Sequence, residues 1–125
     1  MNNQAVRRKL SKTERQQIYA SMNGRCAYCG CEIEYRDMQV DHIKPLRIGG
    51  ADTLDNMISS CGRCNHYKST LDLERFREYL HGIHERLSRD SIPYQTGKRF
   101  GLIKEVHSPV IFYFERCEKP EEEVK

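Results

Sequence analysis

The feature that most restricts this chain is a pair of cysteine clips, Cys26-x-x-Cys29 and Cys61-x-x-Cys64, separated by 31 residues. Each C-x-x-C turn presents two sulfurs from one side, so two such turns can close a four-thiolate tetrahedron around zinc. With every position filled by thiolate no site is left for water, and the metal is structural. Reduced thiols or disulfides are the competing arrangement. The longest apolar run, Val110-Ile-Phe-Tyr-Phe114, falls far short of the roughly 20 residues of a membrane span, and the N-terminus shows no signal-peptide core. The chain therefore reads as cytoplasmic, with no membrane partner, a setting in which six cysteines point to metal more than to disulfides. Of the two left over, Cys31 offers only the less usual C-x-C bite, and Cys117 has no partner in the sequence.

A chain of 125 residues is long enough for one core, and one domain over residues 1–119 is expected, with residues 120–125 a disordered acidic tail. Hydrophobic residues make up 38% and charged residues 31%, a thin core that a bound metal would reinforce. Charge is uneven. Arg7, Arg8, Lys9, Lys12, Arg15 and Arg25 face only Glu14 in the first 25 positions. Such an arm suits a polyanion, whose phosphates release counterions when neutralised, although a solvated terminus has the same composition.

Ser11-Lys-Thr-Glu14 fits a capping box, opening a short helix that Asn23-Gly24 ends. After the first clip, Glu32 to Tyr35 and Met38 to Ile43 read as two strands joined through Arg36-Asp37. "KPLRIGGADTLDN" reads as a working loop, and Met57 to Ser60 as a returning strand. Leu73, Phe76, Leu80, Ile83 and Leu87 recur at helical spacing and predict one helix with a buried face. The C-terminal extension, residues 89–119, has β-rich pieces at Leu102 to Val106 and Val110 to Glu115, which predict a β-hairpin. His81, His84 and His107 read as surface histidines.

A zinc clip does not account for "QVDHIKPL" or for Asn65 and Lys68 after the last cysteine. Asp41 and His42, at the end of an apparent strand, could supply an oxygen ligand and a base to one cleft. The succession C-x-x-C, V-D-H-I-x-P-L, D-N, C-x-x-C-N-x-x-K-S over residues 26–69 resembles the HNH nuclease family. That resemblance implies an α+β fold with a zinc-bound treble-clef, ββα-metal core and flanking helices, and metal-dependent hydrolysis of DNA, leaving 5′-phosphate and 3′-hydroxyl ends. It makes His42 the general base, a task that suits an imidazole near neutral pH.

By the same resemblance Asp41 and Asn65 hold the catalytic divalent ion. Asn65 stands where many relatives carry the last His, an H-N-N variant. Oxygen donors favour a hard ion, Mg²⁺ or Mn²⁺. His66 is rotated about 100° from Asn65 on a helix and is set aside. Asn56 takes an orienting role, tying the loop that aims His42, although turn asparagines are common. Lys68 is expected to touch phosphate, with Arg63, Arg47, Arg7, Arg8 and Lys9 as further contacts.

The expected partner is double-stranded DNA, met by a monomer or homodimer in a bacterial or phage-infected cell. The rival reading is a non-catalytic treble-clef zinc module that binds nucleic acid or protein. Adjacent strand residues point to opposite faces, so Asp41 and His42 are expected at a strand end or bulge.

Overall fold

In the computed structural model, which describes residues 9–117, Ser11 opens helix α1, Lys12–Ser21. The Ser11 hydroxyl accepts from the Glu14 amide at 3.0 Å and the Glu14 carboxylate accepts from the Ser11 amide at 3.1 Å. This reciprocal cap satisfies two orphan helix donors, and losing its serine would cost about 1 kcal/mol. Asn23 (φ 58°) and Gly24 (φ 71°) turn the chain in the left-handed region beyond the helix end. Ile18 is the buried residue of α1, which lies against strand β2.

Among the described residues the sheet is a single antiparallel pair, β1 (Gln39–His42) with β2 (Met57–Ser60), in the register Val40 to Ser59 and His42 to Met57. The strand expected at Glu32 to Tyr35 does not form. Glu32 makes only an isolated bridge to Arg25, and Tyr35–Asp37 winds into a 3₁₀ turn. The partner of β1 is therefore the returning strand and not its sequence neighbour. Arg15 holds this turn, its guanidinium donating to the carbonyls of Met38 at 2.6 Å and Tyr35 at 3.3 Å.

Helix α2, Gly62–Lys68, follows β2 directly, with Cys61 as its N-cap. The helix expected from Leu73 to Leu87 is broken in two at Gly82, giving α3 (Leu73–His81) and α4 (Ile83–Asp90). Gly82 has the Arg86 guanidinium 2.7 Å from where a Cβ would stand, so the break sits where only glycine fits without a shift. The expected C-terminal hairpin is absent from the described residues. Ser91 caps α5 (Ile92–Arg99), and Pro93 sits in its first turn, where its missing amide hydrogen goes unneeded. Residues 103–112 run without a ladder into α6, Tyr113–Cys117.

The architecture is thus α+β, with α-helices and one small two-stranded sheet among the described residues. It divides into two compact units, one running up to Leu73 and resuming at Ile111, the other Glu74–Val110. In the first unit, residues 112–114 close over the first cysteine clip: Tyr113 and Phe114 amides donate to the carbonyls of Tyr28 and Ala27. The rings of Phe112 and Tyr28 meet edge-to-face at 5.5 Å. In the second unit α4 and α5 pack together. No helix among the described residues is long and apolar enough to cross a membrane. Arg7, Arg8 and the tail at 120–125 lie outside the described residues.

Candidate metal centre and active site

The two clips converge. One sulfur from each of Cys26, Cys29, Cys61 and Cys64 lies within 4.8 Å of all the others. Local backbone explains the convergence. The Ala27 amide donates to Ser59 of β2 at 2.9 Å, which anchors the first clip to the strand that leads into the second. Backbone amides of Tyr28 and Cys64 donate to the sulfurs of Cys26 and Cys61, each at 3.4 Å. Such bonds favour thiolate. A hydrogen bond from Cys64 holds the Cys26 thiol down to about 4, and the same bond, with burial, pushes Cys64 far above the ordinary thiol range. A dication resolves this competition by holding all four sulfurs as thiolates, so the donor set fits structural zinc. Cys31 is exposed and outside the four-sulfur cluster, and Cys117 is exposed.

Across β1 lies α2. Gln39 and Asp41 share one face of the strand, and Asn65 and Lys68 share one face of the helix, so the four side chains meet as two rungs. Asn65 donates its Nδ2 to Gln39 Oε1. Lys68 Nζ reaches Asp41 Oδ2 at 3.0 Å and the His42 carbonyl at 3.1 Å. The Tyr28 hydroxyl donates to the same Asp41 Oδ2 at 2.6 Å. Burial, and then the Asp41 charge, hold the Tyr28 phenol protonated well above its usual range, which keeps it a donor.

This network corrects one expectation. Lys68 is 0% exposed and cannot lie on the surface as a phosphate contact; its charge is spent inside, against Asp41, which is itself 6% exposed. An ammonium so enclosed requires a carboxylate partner, and the helix register supplies one.

His42 is the last residue of β1, at a strand end with no bulge. It is 5% exposed, and its Nε2 lies 2.9 Å from Asp52 Oδ1, in the loop between the strands. Asn56 closes that loop at its base. Its side chain accepts from the Lys44 amide at 3.0 Å and donates to the carbonyls of Lys44 at 2.9 Å and Ala51 at 2.8 Å. The Gly-Gly pair is required for two separate reasons: Gly49 has φ 99°, and a Cβ on Gly50 would sit 1.8 Å from the Lys44 carbonyl oxygen.

Asp52, Gln39 and Tyr28 escaped the sequence reading. Asking which group fixes the tautomer of His42 would have directed attention to the loop acids, but not to one of them. Arg47, Arg63, Lys9 and His66 are exposed. The histidines of the second unit have partners after all: His84 binds the Tyr94 hydroxyl and the Val106 carbonyl, each at 2.8 Å, and His107 binds Glu105 at 2.9 Å.

Residues 26–70 match the family model described as HNH endonuclease. Over 55 residues the chain is 38% identical to the CRISPR-associated endonuclease Cas9 of Corynebacterium diphtheriae, an alignment covering 43% of this chain and 5% of that protein. Its fold is similar to that in the crystal structure of the Type II-C Cas9 enzyme from Actinomyces naeslundii, with a TM-score of 0.51 and 23% identity, over 83% of this chain and 12% of that one. The chain thus spans a small part of the length of either protein, and the second likeness is one of fold.

Proposed function

We infer, from the match of residues 26–70 to the HNH endonuclease family model, that this chain is a divalent-metal-dependent endonuclease acting on DNA, over a domain of residues 1–119. The observation that carries the reading is the meeting of β1 and α2. It gathers a carboxylate (Asp41), a carboxamide (Asn65) and a cation (Lys68) at the strand end that also bears His42.

The donor set fits a hard ion. Both hydrogen bonds to Asp41 fall on Oδ2, which leaves Oδ1 to a ligand. Asn65 gives its Nδ2 to Gln39, which likewise turns the oxygen of the amide to that use. Mg²⁺ or Mn²⁺ suits two such oxygens with water completing the shell. When bound, the ion would polarise the scissile phosphodiester and offset charge on the departing oxygen.

The chain's own residues supply the rest. His42 takes the proton of the attacking water. The Asp52 carboxylate, 2.9 Å from Nε2, fixes the tautomer and steadies the imidazolium that results. Asn56 holds the loop that carries Asp52. Lys68 keeps Asp41 aimed, and its bond to the His42 carbonyl sets the strand end. Arg47, Arg63 and Lys9, exposed cations, are assigned to the DNA backbone, together with Arg7 and Arg8. The four cysteines hold structural zinc in a treble-clef arrangement.

Nicking of supercoiled plasmid tests this reading. Wild-type protein should nick in Mg²⁺ or Mn²⁺ and His42→Ala should not, while both bind zinc. Absence of nicking by wild type with either ion, alongside retained DNA affinity, would favour a zinc module that binds without cutting.

A further inference from the structure

The second unit carries a surface that the nuclease reading does not use. Helix α5 ends in a fully hydrogen-bonded Schellman turn: the Gly101 amide donates to Lys98 at 3.1 Å, and the Leu102 amide to Gly97 at 2.7 Å. Gly101 has φ 78°, the left-handed residue that the motif needs. Beyond the turn the chain stays tied, since Glu105 accepts from Lys98 and from the Tyr94 hydroxyl, each at 2.7 Å, and His84 binds the Val106 carbonyl. The segment from Arg99 to Lys104 is therefore rigidly held.

What it holds outward is unusual for a settled surface. Phe100 is 71% exposed and Leu102 is 84% exposed. A Schellman turn ordinarily packs the residue two beyond the cap on the last helical turn, but Gly97 at that position offers no side chain, so Leu102 is left outside. A side chain at Gly97 would mend this only by displacing Ile103, whose side chain would lie 2.5 Å from the added Cβ. Beside Phe100 runs an open groove of about 610 Å³, lined by Gln95, Thr96, Lys98, Arg99 and Phe100. Residues 98–104, KRFGLIK, contain three cations and no acid. Lys98 is paired with Glu105, whereas Arg99 and Lys104 have no ion pair among the described residues.

We propose that the α5 turn, with Phe100, Arg99, Lys104 and the groove beside them, binds an unpaired stretch of polynucleotide, one base stacking on the Phe100 ring while the two cations take flanking phosphates. A polyanion that also presents flat apolar faces matches both properties of the surface, which an acidic protein segment matches only in charge. The choice of polynucleotide rests in part on the nuclease reading of residues 26–70. The surface itself lies outside that segment, and its rigidity means little ordering is lost on binding.

The chain contains no tryptophan, so Phe100→Trp installs a single reporter at an exposed position where the larger ring has room. Titration with a single-stranded oligonucleotide should quench its fluorescence saturably, and a duplex of the same sequence should quench it less. In anisotropy measurements on the full chain, Phe100→Ala should bind the strand about 5- to 150-fold more weakly. Arg99→Glu with Lys104→Glu should lower the slope of log affinity against log salt by about 1 to 2. Unchanged fluorescence and affinity would overturn the proposal and assign Phe100 and Leu102 to a polypeptide partner. Quenching by duplex alone would overturn the stacking of an unpaired base. Plasmid nicking is scored separately: nicking with a silent Trp reporter sinks this surface alone, and quenching without nicking sinks the nuclease reading alone.

Discussion

Replacing Lys68 by methionine isolates the buried ion pair of the site. The substitution keeps the length and apolar stem of the side chain, so packing is little disturbed. It removes the ammonium that lies 3.0 Å from Asp41 and 3.1 Å from the His42 carbonyl. Asp41, 6% exposed, is then a buried carboxylate left with the Tyr28 hydroxyl. Breaking one side of such a pair costs about 3–5 kcal/mol, because the surviving charge has been desolvated without compensation. Against a total stability of about 5–15 kcal/mol for a small domain, that is a large fraction. Urea denaturation of zinc-loaded protein, followed by circular dichroism, measures it. Adding Asp41→Asn removes the stranded charge, so the double variant should be more stable than Lys68→Met alone, with a coupling of about 1–3 kcal/mol. A loss below about 1 kcal/mol in the single variant, or a double variant less stable than the single, would refute the claim that Lys68 exists to neutralise Asp41.

Three further outcomes follow from the same geometry. Chelation of zinc should unfold the first unit, and Cys64→Ser should abolish stoichiometric zinc while Cys31→Ser retains it, as read by metal analysis and circular dichroism. Asp52→Asn should lower kcat about 10- to 100-fold with little change in KM, because His42 remains but its tautomer is no longer fixed; an unchanged kcat would detach Asp52 from the chemistry. Glu105 is held down at about 2, first by the Lys98 ammonium and then by the Tyr94 hydroxyl. Its ionised form therefore contributes stability that is complete above its ordinary value of 4.5 and withdrawn as pH falls towards 2. Thermal melts of Glu105→Gln and wild type should differ at pH 6 and converge across that acidic window.

The convergence of the four cysteines was legible because its signal is spacing alone: two C-x-x-C turns can do little else in one small chain. The first helix was legible for a similar reason, its Ser11 and Glu14 cap being entirely local. What failed depended on choices made at a distance. The hairpin expected around Arg36-Asp37 lost to a pairing of β1 with β2, a strand that the sequence starts 15 residues after His42. The C-terminal hairpin did not form: the first β-rich piece runs without a ladder, Glu105 and Val106 being tied instead to Lys98, Tyr94 and His84, and the second ends in helix α6. The burial of Lys68 is set by which face of α2 meets β1, and the sequence of α2 alone carries no sign of it. Asp52 is harder still, since its reach to His42 depends on a loop shaped by Gly49, Gly50 and the clamp of Asn56.

The central claim is that His42, at the end of β1, activates water for phosphodiester hydrolysis. Its most direct test is nicking of supercoiled plasmid by wild type and His42→Ala, each with and without Mg²⁺ or Mn²⁺, after both have been shown to hold zinc and the same fold. The account predicts ion-dependent nicking by wild type and none by the variant. Equal nicking by the two proteins, or none by wild type with either ion, would contradict it.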